Sequence, residues 1–201
     1  MIPFLSETTV PKNPFTLFET WYKEHLEAES NIPEAAFLAT SSSDGRVSAR
    51  TVLLKDYDSR GFTFFTNYHS RKSREMSQNR YAALLFYWKE KGRQVRIEGL
   101  AEKVTPEISE EYFSTRPRES QISAWASDQS SVVPDRARLE ERFDHYNKLF
   151  SGSPVPKPEH WGGFRIIPLL FEFWENREYR LHDRIEYRKT GDAWKISRLA
   201  P

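Results

Sequence analysis

Ala35-Ala36-Phe37-Leu38-Ala39-Thr40, then Asp44-Gly45, then Val47-Ser48-Ala49-Arg50-Thr51-Val52-Leu53-Leu54-Lys55 read as two strands joined by a tight turn. Asp-Gly readily supplies the positive φ that a short hairpin turn needs. The pattern continues downstream. A turn ending at Gly61 leads into Phe62 to Asn67, and Ala82 to Trp88 connects through Lys91-Gly92 to Gln94 to Val104. Short strands at close spacing, joined by hairpin chemistry, predict an antiparallel barrel rather than βαβ units.

Helices flank this β core. Asn13-Pro14 is a helix start, with Asn as cap and Pro in the first turn, and Phe15, Phe18, Trp21, Tyr22 and Leu26 follow at helical spacing. Residues 1–12 read as an irregular arm and residues 13–201 as a single domain. A short polar helix is predicted over Ser70 to Gln78, and further helices open at Thr105-Pro106-Glu107, near Ser120, and at Pro134-Asp135. The last of these carries Leu139, Phe143, Tyr146 and Phe150 on one face. After a Pro-rich connector over 151–159 the chain returns to β: Gly163 to Trp174, Arg180 to Arg188, a Thr190-Gly191 turn, and Ala193 to Leu199. The expected class is mainly β with flanking helices, an α+β fold.

Composition narrows the function classes. Hydrophobic residues make up 38% and charged ones 29%, so the 14% of aromatic residues must supply much of the buried area, and a dimer would bury more. A net charge of +1 gives no global field for nucleic acid. The absence of Cys removes disulfides, thiolate metal sites and a Cys nucleophile, and fits a reducing compartment. Met1 to Glu7 has no basic n-region, and no apolar run is long enough to span a bilayer. The expectation is a cytoplasmic protein with neither nucleic acid nor membrane as partner. Neither G-x-G-x-x-G nor G-x-x-x-x-G-K-[ST] occurs, and five His without ligand spacing predict no metal site.

Four basic segments remain as candidates for binding phosphate, where Arg offers a bidentate fork and Lys a point charge. In Arg50 to Lys55, strand alternation points Arg50 and Lys55 to opposite faces, so one site using both needs a twist or bulge, or two ligand parts reached from different sides. Ser70-Arg71-Lys72-Ser73 sits at a helix start, where free N–H groups favour an anion. Arg116-Pro117-Arg118-Glu119-Ser120-Gln121 lies between helices, with Ser120 as the expected N-cap. Arg180-Leu181-His182-Asp183-Arg184, read as a strand, puts three basic side chains on one face, a repulsion that an anionic ligand would relieve. Taken singly, each segment is equally an ordinary charged strand end, basic loop, capped turn or solvated face.

In order and together, they resemble the pyridoxine/pyridoxamine 5′-phosphate oxidase family. The most specific match is Phe171-Glu172-Phe173-Trp174 followed by Arg180-Leu181-His182-Asp183-Arg184. Phe64-Phe65-Thr66-Asn67, Arg93-Gln94-Val95, Ser114-Thr115-Arg116-Pro117, Gln129-Ser130-Ser131, Trp161-Gly162-Gly163 and Arg198-Leu199-Ala200-Pro201 agree with it. The resemblance implies an FMN-binding split β-barrel working as a homodimer, with the flavin held between subunits. It implies oxidation of pyridoxamine 5′-phosphate and pyridoxine 5′-phosphate by dioxygen to pyridoxal 5′-phosphate, releasing hydrogen peroxide. By motif, Arg50, Arg71, Lys72, Gln129 and Ser130 would hold the flavin's phosphate and ribityl end, and Val52, Leu53, Phe65, Thr66, Gln94, Trp174 and Arg184 the rest. Lys55, Tyr112, Arg116 and Ser120 would grip the substrate phosphate, while Arg180 and His182, the implied catalytic pair, would lie over the pyridine ring.

Two alternatives compete with this reading: a related flavin oxidase of phenazine type, and a non-catalytic flavin or pyridoxal phosphate binder. Lys55, Tyr112, Arg116 and Ser120 argue against the first, and retained Arg180 and His182 against the second. Two features depart from the family pattern. Met1 to Lys12 lacks the basic and aromatic lid segment, and Glu175 stands where a small or neutral residue is expected.

Overall fold

The structure, a computed structural model, describes residues 5–28 and 32–201. Its strands are β1 (Ala35–Ser41), β2 (Val47–Leu53), β3 (Asp56–Asp58), β4 (Gly61–Asn67), β5 (Tyr81–Trp88), β6 (Arg93–Lys103), β7 (Trp161–Glu175), β8 (Asp183–Thr190) and β9 (Ala193–Arg198). They form one antiparallel sheet in the order β2-β1-β5-β6-β7-β4-β3, with β8 and β9 added beside β7. Strand β7 is the spine. One edge pairs with β6; the other takes β4 along its first residues and β8 along its last. The β6–β7 register shifts between Glu98 and Gly99, and a Cβ on Gly99 would lie 2.0 Å from the Ile167 carbonyl oxygen. Only glycine fits there, and a bulge bends its strands. The sheet accordingly curls into a split β-barrel.

Aromatic rings fill the barrel, as the composition requires. Helix α1 (Pro14–Leu26) starts where Asn13 Oδ1 accepts the Phe15 N–H at 3.0 Å, and inserts Phe18 among Tyr57, Phe62 and Phe86. Trp88, Phe171, Phe173 and Tyr187 complete this core. Helix α2 (Arg71–Gln78) follows β4. Helices α3 (Pro106–Thr115), α4 (Arg118–Ala126) and α5 (Arg136–Leu149) build a second cluster on the start of β7, around Phe113, Ile122 and Trp161. The Asp135 side chain caps α5 by accepting the Arg138 N–H. Its apolar face is only partly covered, with Phe143 and Tyr146 half-buried and Leu139 exposed. No helix among the described residues is long and apolar enough to cross a membrane.

Three local expectations are corrected. The strand predicted through Lys55 ends at Leu53. Leu54 N–H still donates to Glu34 O beside β1, but Lys55 N–H donates to Thr63 O on β4. The chain crosses between sheet edges at this point, so Lys55 leaves the β2 ladder while Arg50 stays in it opposite Leu38. Helix α4 begins at Arg118 after Pro117, so Ser120 lies in its first turn, where its N–H donates to Pro117 O, and is not the N-cap. The strand predicted from Arg180 starts instead at Asp183. Tyr179 (φ 57°) and Arg180 (φ 62°) adopt left-handed backbone, incompatible with an extended strand, so the predicted basic row does not form.

Residues 1–4 of the predicted arm lie outside the described residues; residues 5–12 form neither helix nor strand. They are tied to β8 and β9: Tyr187 Oη donates to Pro11 O at 2.8 Å, and Arg198 Nε to Glu7 Oε2 at 3.0 Å.

Candidate functional site

The crossing at Leu54 places Val52, Leu53 and Lys55 on one wall of a cavity of about 450 Å³. Phe65, Thr66 and Asn67 at the end of β4 form the next wall, Lys72 in the first turn of α2 the floor, and Tyr112 and Arg116 of the helical layer the opposite side. Gln129, Ser123, Ser127 and Trp161 close it. Nine residues predicted from different parts of the sequence therefore meet here: Val52, Leu53, Lys55, Phe65, Thr66, Lys72, Tyr112, Arg116 and Gln129.

Three near-parallel rings make one face. The Phe65 ring is 4.0 Å from Tyr112 and 5.5 Å from Trp161, centroid to centroid, and those two are 6.3 Å apart, so the three form a triangular cluster. Gly163 permits this, because a Cβ there would sit 2.9 Å from the Phe65 ring. The Arg116 guanidinium lies 4.7 Å from the centre of the Trp161 ring, and its buried Nη1 has no hydrogen-bond acceptor among the described residues. Burial pushes the Arg116 pKa down. An unsatisfied buried cation is costly, and an anion entering the cavity would relieve that cost once the side chain turned toward it.

Lys72 is a second cation of the lining, and this one has hydrogen-bond partners. Its Nζ donates to Thr66 Oγ1 (3.1 Å), Ser70 Oγ (3.4 Å) and Gln129 Oε1 (3.2 Å), all neutral oxygens. Burial, with a smaller contribution from Arg50, lowers its pKa to about 8. Thr66 Oγ1 also donates to Gln129 Oε1 at 2.9 Å, so one amide oxygen ties β4, α2 and the following loop together. In that loop Ser130 takes φ 72°, a left-handed conformation that a non-glycine residue adopts at a cost of roughly 1–3 kcal/mol.

Arg50 and Arg71 stand beside the cavity without lining it. Both bond the buried Glu75 carboxylate: Arg50 Nη2 to Oε2 at 3.1 Å, Arg71 Nε to Oε1 at 2.8 Å. Thr40 and Ser48 hydroxyls donate to the same Oε2. Burial would raise the Glu75 pKa, but the bonds from Ser48, Thr40, Arg71 and Arg50 outweigh it and bring it down to about 2. Ser120 is half-buried outside the cavity lining.

The remaining predicted residues form a separate group. Gln94, Trp174 and Arg184 stand directly opposite one another across β6, β7 and β8. His182 lies 4.6 Å from Trp174, ring to ring, and its Nδ1 accepts the Arg177 backbone N–H at 3.1 Å. Arg180 is exposed on the adjoining turn. Arg184 bonds the buried Glu172, which also takes Arg96; burial raises the Glu172 pKa and these two guanidiniums more than offset it. This group adjoins the far end of β7, thirteen residues beyond Trp161, or about 40 Å of strand. None of Gln94, Trp174, Arg180, His182 and Arg184 lines the cavity.

Sequence reasoning missed Asn67, Ser123, Ser127 and Trp161 as lining, and Glu75 and Glu172 as holders of the arginines. Glu75 could have been found, since it lies four residues after Arg71 on a predicted helix.

Comparison with known proteins agrees with this architecture. The pyridoxamine 5′-phosphate oxidase family model matches residues 22–150, and the pyridoxine 5′-phosphate oxidase C-terminal dimerisation region matches residues 161–201. The chain is 50% identical over 197 residues to the pyridoxine/pyridoxamine 5′-phosphate oxidase of Cyanothece sp., covering 98% of this chain and 92% of that protein. The oxidase of the same name from Burkholderia thailandensis is 51% identical over 200 residues, covering 98% and 93%. Among solved structures, PhzG from Burkholderia lata in complex with tetrahydrophenazine-1-carboxylic acid superposes with a TM-score of 0.93 at 33% identity, covering 100% of this chain and 98% of that one. A pyridoxamine 5′-phosphate oxidase-related, FMN binding protein from Nostoc punctiforme shares the fold, with a TM-score of 0.75 at 14% identity over 96% and 100% of the two chains. The chain belongs to the pyridoxine/pyridoxamine 5′-phosphate oxidase family of oxidoreductases.

Proposed function

We propose that the chain acts as a two-fold homodimer whose two composite sites oxidise pyridoxamine 5′-phosphate and pyridoxine 5′-phosphate to pyridoxal 5′-phosphate. The observation that carries this reading is the cavity with Lys72 and Arg116 in its ring-bearing lining, cations that pair with no carboxylate among the described residues. Two unneutralised cations suit two phosphates, one from a cofactor and one from a substrate.

The dimer follows from the sheet. Tyr87, Gln94, Trp174 and Arg184 form one row across β5 to β8, on the face that also bears Phe37, Val47 and Tyr81. These apolar side chains are half or more exposed, an unusual outlay for a free surface. Thr51 and Leu53, which line the cavity, lie on the same face of β2. A two-fold pairing through this face would bring the Gln94–Trp174–Arg184 row of one protomer to the cavity of its partner. The match of residues 161–201 to a dimerisation region supports this arrangement.

FMN fits the donor set: Lys72, Arg50 and Arg71 for its phosphate, Thr66 and Gln129 for its hydroxyl-bearing chain, and Gln94 for a heterocycle edge. When bound it would take hydride from the substrate carbon bearing the amine or alcohol and deliver the electrons to dioxygen as hydrogen peroxide. Pyridoxine 5′-phosphate needs no further reactant, whereas pyridoxamine 5′-phosphate also consumes water and releases ammonia. The protein's own work is alignment. Lys55, Tyr112 and Arg116 would hold the substrate phosphate, the Phe65–Tyr112–Trp161 stack would exclude water, and Arg180 and His182 of the partner would cover the ring. Because His182 Nδ1 accepts a backbone N–H, the neutral ring presents Nε2–H as a donor.

The superposition on PhzG favours a second reading, oxidation of a phenazine-type ring. Anaerobic mixing of the FMN-loaded protein with pyridoxamine 5′-phosphate decides between them. Bleaching of the flavin band by this compound, and not by tetrahydrophenazine-1-carboxylic acid, is the expected result; the reverse pattern would establish the second reading.

A further inference from the structure

Glu175 is buried at the end of β7, directly opposite another buried carboxylate, Asp183, at the start of β8. Like charges facing each other across strands destabilise a sheet unless a cation lies between them. Arg177 is that cation. Its Nη2 bonds Glu175 Oε2 at 2.5 Å and its Nε bonds Asp183 Oδ2 at 2.8 Å, so one guanidinium staples the two ends of the turn over 176–182.

Both ends of the staple are themselves anchored. Glu175 Oε1 accepts Arg93 Nε at 2.8 Å, and Arg93 lies 4.4 Å over the Trp21 ring of α1 and bonds Glu24 there. Asp183 Oδ1 takes Arg198 Nη1 of β9 at 2.8 Å. The core thus holds Glu175 firmly, Glu175 holds Arg177, and the Arg177 backbone N–H sets the His182 ring. The same turn carries two consecutive left-handed non-glycine residues, Tyr179 and Arg180. Such a pair persists only where the surroundings over-determine it.

We propose that Glu175 is a positioning residue, which fixes the Arg177 staple and through it the placement of Arg180 and His182 over the reacting ring; this rests on the oxidase reading above. Glu175 itself touches neither Arg180 nor His182 among the contacts described, so its influence passes through Arg177.

The test compares Glu175→Gln, Arg177→Gln and the double variant with the FMN-loaded parent, using pyridoxamine 5′-phosphate. Glu175→Gln should lower kcat/KM about tenfold, mostly through kcat, because small misplacements of orienting groups are costly in rate. FMN affinity should stay within about twofold, since Glu172 and Glu75 hold the cofactor-side arginines independently. The double variant should be no worse than Arg177→Gln alone, as expected when two residues act in series. Multiplying effects, an unchanged kcat/KM for Glu175→Gln, or parallel losses of FMN affinity and melting temperature would each overturn the positioning role. A parent protein that never reduces its flavin would instead sink the oxidase reading, and this inference with it.

Discussion

Trp161 and Trp174 occupy opposite ends of one strand, and each belongs to a different half of the candidate site. Trp161 backs the cavity; Trp174 sits in the row that would close the partner's cavity. The arrangement predicts complementation in trans. Arg116→Ala disables the cavity half, and Arg180→Ala, at an exposed residue, disables the covering half. Co-expressed, they should form hybrid dimers in which one of the two sites is native. At substrate concentrations well below the raised KM, where each variant alone is nearly inactive, random assortment gives about a quarter of the parental activity. Activity no greater than the mean of the two variants would mean that each chain builds its site alone.

Arg116 is proposed to hold the substrate phosphate and not that of FMN. Replacing it with Ala should raise KM for pyridoxamine 5′-phosphate by about 10- to 100-fold, the value of a charge-assisted bond made in a partly buried site. FMN affinity should change little, because Lys72, Arg50 and Arg71 lie toward the α2 side. Steady-state kinetics and a flavin fluorescence titration read the two quantities independently. Equal losses in both would show that the division of the cations is wrong.

With Lys72 at the cofactor phosphate, as proposed, FMN binding should depend on pH. With its pKa lowered to about 8 in the free protein, Lys72 is protonated at pH 7 and becomes neutral above pH 8. A bound phosphate raises that pKa, so binding above pH 8 must take up a proton. FMN affinity should be flat from pH 7 to 8 and then fall up to about tenfold per pH unit. Titrations from pH 7 to 10 check this, and Lys72→Gln should bind more weakly with no such slope. A slope retained in Lys72→Gln would assign the proton to another group.

The barrel was legible because its signals are local. Asp44-Gly45 and Thr190-Gly191 mark turns, Asn13-Pro14 marks a helix start, and alternation fixes strand faces. What failed was set by long-range contacts. The end of β2 depends on Thr63, which captures the Lys55 N–H, and no pattern within residues 47–55 encodes that partner. The turn before β8 looks like a strand because Arg180, Leu181 and His182 alternate in character. Its actual course is dictated by Arg177 bridging Glu175 and Asp183. The same holds for the site. The basic residues could be named from their motif, but their separation into two groups, one adjoining each end of β7, became visible only with the sheet order. Glu75 and Glu172 hold arginine pairs in place, and most of those partners lie far along the chain, 25 residues away for Arg50 and 76 for Arg96, where no local pattern links them.

Glu75 ties cofactor-site geometry to acid stability. Its carboxyl accepts bonds from two hydroxyls and two guanidiniums, which hold its pKa at about 2 against the opposing effect of burial. A carboxylate depressed from 4.5 in this way stabilises the fold fully above the unfolded value. That contribution, on the order of 3 kcal/mol, is lost as pH falls from about 4.5 toward 2. Glu75→Gln keeps the side-chain volume but removes the charge, leaving Arg50 and Arg71 without their shared anion. At pH 7 the variant should therefore melt several degrees below the parent, consistent with the loss of a few kcal/mol. As pH drops below 4.5 the two melting temperatures should converge, because the parent's carboxyl becomes protonated too. Calorimetric scans of both proteins at pH 7, 5 and 3 test the sign as well as the size. A gap that stayed constant or widened in acid would show that the Gln side chain disrupts packing and that the carboxylate's charge is not what holds the two arginines.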